Sequence, residues 1–160
     1  GEDGEIEIRG ASVVPGYFGN DAANRQSYSD GGWFRTGDLA AADASGNIRI
    51  TGRVKDVINR GGIKINPTDV ENLIDAHPSV GQSAIVPMPD PVLGEKGCVF
   101  VTLVEGASMT LDDVLGYLKE RGVAKFKWPE RLEIVDAMPM TPTRKIIKSE
   151  LVDRLSTSDE

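Results

Sequence analysis

The stretch from Gly52 to Pro67, G-R-V-K-D-V-I-N-R-G-G-I-K-I-N-P, limits what this 160-residue chain can fold into more than any other segment. Val57-Ile58 and Ile63-Lys64-Ile65 flank Gly61-Gly62. Strand-forming residues on both sides of two glycines predict a tight hairpin, because a two-residue tip needs positive φ. Arg53, Lys55, Arg60 and Lys64 crowd around that tip. Cations so close together build a core poorly. They suit a solvated basic loop, or a surface that meets phosphates. A tip without side chains also lets a ligand approach the backbone.

The rest of the chain reads as alternating strands and helices. Glu5 to Arg9 and Ile48 to Ile50 alternate polar and apolar, as half-buried strands do. Gly10 to Asp30, rich in Gly, Asn, Asp and Ser, is expected to be mostly loop. Residues 1–54 are too few to bury a sound core alone and read as strands of something larger. Beyond the hairpin, Thr68-x-x-Glu71 and Thr110-x-x-Asp113 each have the form of a capping box. Val70, Leu73 and Ile74 follow the first box at helical spacing, and Leu111, Val114, Leu115 and Leu118 make an apolar face behind the second. Gly122 closes that helix. Gln82–Pro87, Gly97–Glu105 and Arg131–Val135 read as strands, and Ser149–Leu155 as a terminal helix. The expectation is an α+β fold, with a small three-stranded sheet flanked by helices.

Charge and composition narrow the function. Hydrophobic content of 39% and charged content of 27% are those of a globular protein. A net charge of −7 argues against a nucleic-acid partner and against an anionic membrane surface. No apolar run approaches the ~18 residues of a membrane span. No signal peptide is visible at the start, and a single cysteine allows no intrachain disulfide, so a cytoplasmic location is expected. Cys98 lies in an apolar strand and reads as a packing residue. His77 precedes Pro78 at a helix end; with one histidine, neither a Cys/His zinc site nor a catalytic triad is supported, and no metal ligands are assigned.

Two further segments complete the pattern. W-F-R-T-G-D-L runs from Trp33 to Leu39, and P-M-T-P-T-R-K-I-I-K from Pro139 to Lys148. In this order and spacing, the three segments resemble the later core motifs of the adenylate-forming superfamily. Its members include acyl-CoA synthetases, aryl-acid ligases, the adenylation domains of nonribosomal peptide synthetases, and luciferases. The resemblance runs from G-E-I-E-I-R-G at Gly4 to Gly10 as far as about Leu151.

The resemblance implies a two-step reaction. A carboxylic acid and ATP form an acyl-adenylate, and the acyl group then passes to a thiol, with a domain rotation between the steps. Lys145 resembles the lysine aimed at the α-phosphate, where an ammonium stabilises developing charge. Alone it would read as a solvated lysine, but two prolines stiffen its approach. Arg144 stands where the family often has Gly. Lys148 fits the basic position that follows in the motif. Asp38 resembles the acid that accepts hydrogen bonds from the ribose hydroxyls; by itself it reads equally as a turn residue. Arg53 and Lys64 resemble nucleotide contacts. Lys55 resembles the hinge, so residues 1–54 are expected to end a large amino-terminal domain and residues 55–160 to form a mobile carboxy-terminal one. Gly61 and Gly62 would line a pantetheine path. Lys125, Phe126 and Lys127 would meet CoA by stacking and by charge, or else be core and solvated residues.

The family's phosphate loop, its ATP–magnesium segment and its acid pocket have no counterpart here, so the resemblance implies a piece of a longer enzyme that is inactive alone. ATP or AMP, CoA and Mg²⁺ are the expected cofactors, with Mg²⁺ held mainly by the rest of the large domain. The partners expected are a small carboxylic acid, ATP, CoA and that remaining domain. A-K-F-K-W-P-E-R-L-E-I-V-D, from Ala124 to Asp136, resembles fatty-acid, cyclohexanecarboxylate and aryl-acid ligases. The leading expectation is therefore an AMP-forming acyl-CoA synthetase of fatty-acid metabolism. The alternatives are an aryl-acid or amino-acid adenylating enzyme that loads a carrier-protein phosphopantetheine, and a non-catalytic binding module.

Overall fold

The computed structural model describes residues 3–158. Contacts divide the chain into two compact units, one ending at Lys55 and the next starting at Asp56.

The first unit contains β1 (Gly4–Ile8), α1 (Asp21–Ser27), β2 (Phe34–Ala42) and β3 (Ile48–Arg53). The strands form an antiparallel sheet in that order. Asp43 shapes the β2–β3 turn, its carboxylate accepting from the amides of Ser45 at 2.8 Å and Asn47 at 2.9 Å. The short helix α1 departs from the expected loop. Asn20 caps it by accepting from the Ala23 amide at 3.0 Å, and Asn24 accepts from the Tyr17 amide at 2.7 Å. None of its residues is buried, so it has no apolar stripe to betray it in the sequence. Among the described residues, Ala40 is the one buried hydrophobic of this unit, while Ile48 and Ile50 stay 64% and 57% exposed. A sheet in this condition has no core of its own.

The second unit contains β4 (Ile58–Arg60), β5 (Ile63–Ile65), α2 (Thr68–Asp75), β6 (Val80–Asp90), β7 (Gly94–Leu103), α3 (Leu111–Glu120), β8 (Arg131–Ile134) and α4 (Lys148–Ser158). The three expected strands, β6, β7 and β8, are joined by the two strands of the basic hairpin into one five-stranded sheet. β6 and β7 form a long antiparallel hairpin, and β8 runs parallel to β7. β4 meets β7 through Arg60 opposite Gly94.

Both faces of this sheet are covered. Ile85, Val99 and Val101 pack toward Val70 and Ile74 of α2 and Val114 and Leu118 of α3. Ala84, Val86, Cys98 and Phe100 pack toward Met138 and toward Leu151 and Leu155 of α4. Alternate residues of β7 therefore serve opposite cores, which is why its sequence is a continuous apolar run. Burial pushes the Cys98 thiol up to about 12, in keeping with a packing role. The His77 ring stands edge-on to Tyr117 at 4.6 Å, and its Nδ1 accepts from the Ser79 amide at 3.1 Å.

The two capping boxes diverge. At α3 the box is complete: Thr110 Oγ1 accepts from the Asp113 amide at 3.3 Å, and Asp113 accepts from the Thr110 amide at 2.8 Å. At α2 the box expected from Thr68 and Glu71 does not form. Pro67 occupies the cap without a side-chain bond, and the Thr68 amide donates to Asn66 Oδ1 at 3.2 Å. Glu71 turns inward instead, to the β6 backbone. Among the described residues, no helix is long and apolar enough to cross a membrane.

Candidate functional site

β2 and β3 set Asp38 opposite Arg53 across the ladder. Their side chains meet at 3.0 Å, 40% and 50% exposed respectively. Arg53 also donates to the Thr36 carbonyl at 3.4 Å. An ionised carboxylate has acceptor sites for several donors, so Asp38 keeps capacity toward solvent beside the fixed guanidinium. A vicinal diol next to a phosphate is the kind of group this pair could hold. Lys55 lies exposed in the 3-10 turn at Val54–Asp56.

Lys145 sits in a tightly closed loop of the second unit. Met140 and Ile146 bridge its neck, and the Ile147 amide donates to the Pro139 carbonyl at 2.8 Å. Inside the loop, Thr141 donates its amide to the Lys145 carbonyl at 2.9 Å, and its Oγ1 accepts from the Lys145 amide at 3.1 Å. The backbone of Lys145 is thus fixed from both sides, while its side chain is exposed and has no partner among the described residues. That combination presents a cation outward from a stiff support. Arg144 has φ of 62°, the one non-glycine residue among those described with positive φ.

The glycine hairpin forms as its sequence implies. Gly61 and Gly62 have φ of 57° and 87°, and Lys64 stands opposite Asn59. A Cβ at Gly61 would press on Leu93 at 3.2 Å, whereas one at Gly62 would meet open space. Lys64 is exposed. Arg60 is not a free phosphate ligand: Glu130 holds it at 2.6 Å. The four basic residues of the stretch are therefore not equivalent. Arg53 and Arg60 are each committed to a carboxylate, whereas Lys55 and Lys64 pair with none among the described residues.

A groove of about 480 Å³ brings Arg60 together with Lys125, Phe126, Trp128 and Glu130. Phe126 is 40% exposed, so part of the residue is accessible to a ligand. Trp128 packs against the core and donates its indole N–H to the Val123 carbonyl at 2.9 Å. Lys127 turns away from this groove and lines a second one, of about 340 Å³, with Arg121 and Asp69. Lys145 lines neither groove. Among the described residues, no three His, Cys, Asp or Glu side chains cluster as metal ligands.

Two charged clusters escaped the sequence reading. Lys148 Nζ lies 2.6 Å from Glu71 Oε1 and 3.9 Å from Asp56 Oδ2. Lys96 bridges Asp90 at 2.7 Å and Glu130 at 3.5 Å. No local pattern announces either, because Glu71 is distant in sequence from Lys148, and Glu130 from Asp90 and Lys96.

Comparison with known proteins places this geometry. The family model described as "AMP-binding enzyme C-terminal domain" matches residues 69–145. The chain is 39% identical over 156 residues to the 2,3-dihydroxybenzoate-AMP ligase of Bacillus subtilis, covering 98% of this chain and 29% of that protein. It is 42% identical over 151 residues to the 2-hydroxy-7-methoxy-5-methyl-1-naphthoate--CoA ligase of Streptomyces carzinostaticus, covering 94% of this chain and 27% of that one. Among solved structures, ATP-bound MatB from Rhodopseudomonas palustris matches with a TM-score of 0.91 and 32% identity, over 100% of this chain and 32% of MatB. The chain thus spans a little over a quarter of the length of these curated relatives. It belongs to the adenylate-forming superfamily and carries that family's carboxy-terminal AMP-binding-enzyme domain.

Proposed function

We propose that this chain is part of an ATP-dependent ligase that makes an acyl-adenylate and hands the acyl group to the thiol of CoA. The observation that carries the reading is Lys145, an exposed ammonium without a partner among the described residues, on a loop whose backbone is bonded on both sides. In the first step a carboxylate oxygen attacks the α-phosphorus and pyrophosphate leaves. Negative charge grows on the α-phosphate oxygens, and a preorganised ammonium stabilises it. Asp38 and Arg53 hold the nucleotide's ribose, and Lys64 lies near a phosphate. Mg²⁺ is bound by other parts of the large domain.

In the second step the thiol sulfur attacks the acyl carbon and AMP leaves. Rotation about Lys55 exchanges the Lys145 loop for the Gly61-Gly62 hairpin. The open space above Gly62 suits a pantetheine arm. Lys125 and Phe126, neighbours on one groove, suit the phosphates and adenine of CoA. Lys127 lies on another groove and contributes only charge nearby. Both curated relatives are named for aromatic acids, which supports an aromatic carboxylic acid over a fatty acid as substrate. The relative named as an AMP ligase supports a second reading, in which the acceptor is a carrier-protein phosphopantetheine.

The test is Lys145→Ala in the complete enzyme. Acid-dependent pyrophosphate exchange should fall on the order of a hundredfold, the cost of about 3 kcal/mol of lost charge stabilisation. Thioester formation from supplied acyl-adenylate should be retained. Equal loss in both half-reactions would remove the assigned role. Offering CoA and a phosphopantetheinylated carrier side by side decides the acceptor.

A further inference from the structure

We propose that Lys148 is a positioning residue for Lys145, clamping the loop that carries it to two carboxylates of the same unit. The inference rests on the reading of Lys145 given above.

Lys148 opens α4, three residues after Lys145. Its ammonium lies between Glu71 at 2.6 Å and Asp56 at 3.9 Å, and the three side chains are 21%, 13% and 18% exposed. Charges this poorly hydrated attract more strongly than a surface pair. The anchor is rigid. Glu71 Oε1 also accepts from the Ile85 amide at 2.6 Å, which fixes the carboxylate midway along β6, an edge strand of the sheet. Its helix is held by Val70 and Ile74, both buried. Only Ile146 and Ile147 separate the clamp from Lys145, and both are half-buried. Ile146 packs on the core and bridges Met140, so the neck has little freedom to absorb a displaced Lys148.

A role in stability alone explains this arrangement less well. A partly buried ion pair is on balance no more stabilising than a packed apolar pair, so it adds geometry more than free energy. Geometry is what a charge aimed at a reacting phosphate requires: a displacement of about 1 Å can cost on the order of a hundredfold in rate. Asp56 and Glu71 both belong to the second unit, so the clamp is complete within it. Lys145 would then stay correctly presented on its loop whatever the orientation of the two units.

The experiment is a double-mutant cycle on pyrophosphate exchange in the complete enzyme. Lys148→Met should lower exchange on the order of ten- to a hundredfold. Lys148→Arg, which keeps the charge, should recover most of that loss. With Lys145→Ala already present, Lys148→Met should change the remaining rate by no more than about twofold, because its effect passes through the missing ammonium. Glu71→Gln should show the same dependence on Lys145 and replaces Lys148→Met if that variant does not fold. If Lys145→Ala leaves exchange intact, the reading of Lys145 fails. If Lys145→Ala cripples exchange but Lys148→Met costs the same factor in both backgrounds, Lys148 is structural and the positioning role is overturned.

Discussion

Arg60 and Glu130, 70 residues apart in sequence, meet at 2.6 Å and tie the glycine hairpin to the segment that enters β8. Lys96 adds a second cation 3.5 Å from the same carboxylate. The pair is a quarter exposed, between a surface bridge worth little and a buried one that is costly to break. Glu130→Gln should therefore destabilise the protein by about 1 kcal/mol. A urea titration checks this, and an unchanged midpoint would mean that Arg60 is held by other contacts.

Gly62→Leu separates the two half-reactions. Its φ of 87° costs any L-residue roughly 1–2 kcal/mol, so some loss of stability is expected. The added side chain enters open space rather than the core, so the fold should survive. Pyrophosphate exchange should persist while transfer to the thiol falls much further. If both fall together in folded protein, Gly62 serves the turn alone.

Arg144→Gly tests strain beside Lys145. At φ of 62°, Arg144 occupies a conformation that glycine adopts freely. Relief of roughly 1–2 kcal/mol is offset by the entropy glycine loses on folding, about 0.5–1 kcal/mol. The net expectation is a gain of up to about 1.5 kcal/mol, read as a higher denaturation midpoint. A lower midpoint would show that the Arg144 side chain makes a contact worth more than the strain.

Asp90 should make stability fall in acid. The Lys96 hydrogen bond, with the amides of Leu93 and Val92, lowers its carboxyl to about 2 from an ordinary 3.8. A depressed carboxyl stabilises the fold above its unfolded value. Its contribution is lost as pH drops from about 4 toward 2. In Lys96→Met the Asp90 carboxyl should titrate closer to 3.8, as followed by carboxylate NMR shifts. Titration near 3.8 with Lys96 intact would contradict the bridge.

The sequence by itself determined whatever depends on neighbours a few residues apart. Gly61-Gly62 between strand formers specifies its hairpin because no other residue pair takes both positive φ values so cheaply. Thr110 and Asp113 cap α3 because donor and acceptor sit one turn apart. The segments around Asp38, Arg53 and Lys145 follow one another in the order that carries the resemblance to the family. Only the tertiary structure decided where competing side chains went. Thr68 and Glu71 have the same spacing as Thr110 and Asp113. Yet Glu71 faces the sheet, where the Ile85 amide and the Lys148 ammonium offer stronger, less hydrated partners than a helix end. Arg60 shares its stretch with Lys64, but Glu130 takes it and leaves Lys64 to solvent. Lys125 and Lys127 are two residues apart and line different grooves, because the 3-10 turn between Lys125 and Lys127 points them apart. In each case a charged group chose among partners by burial and distance, and those exist only once the sheet and its helices have packed.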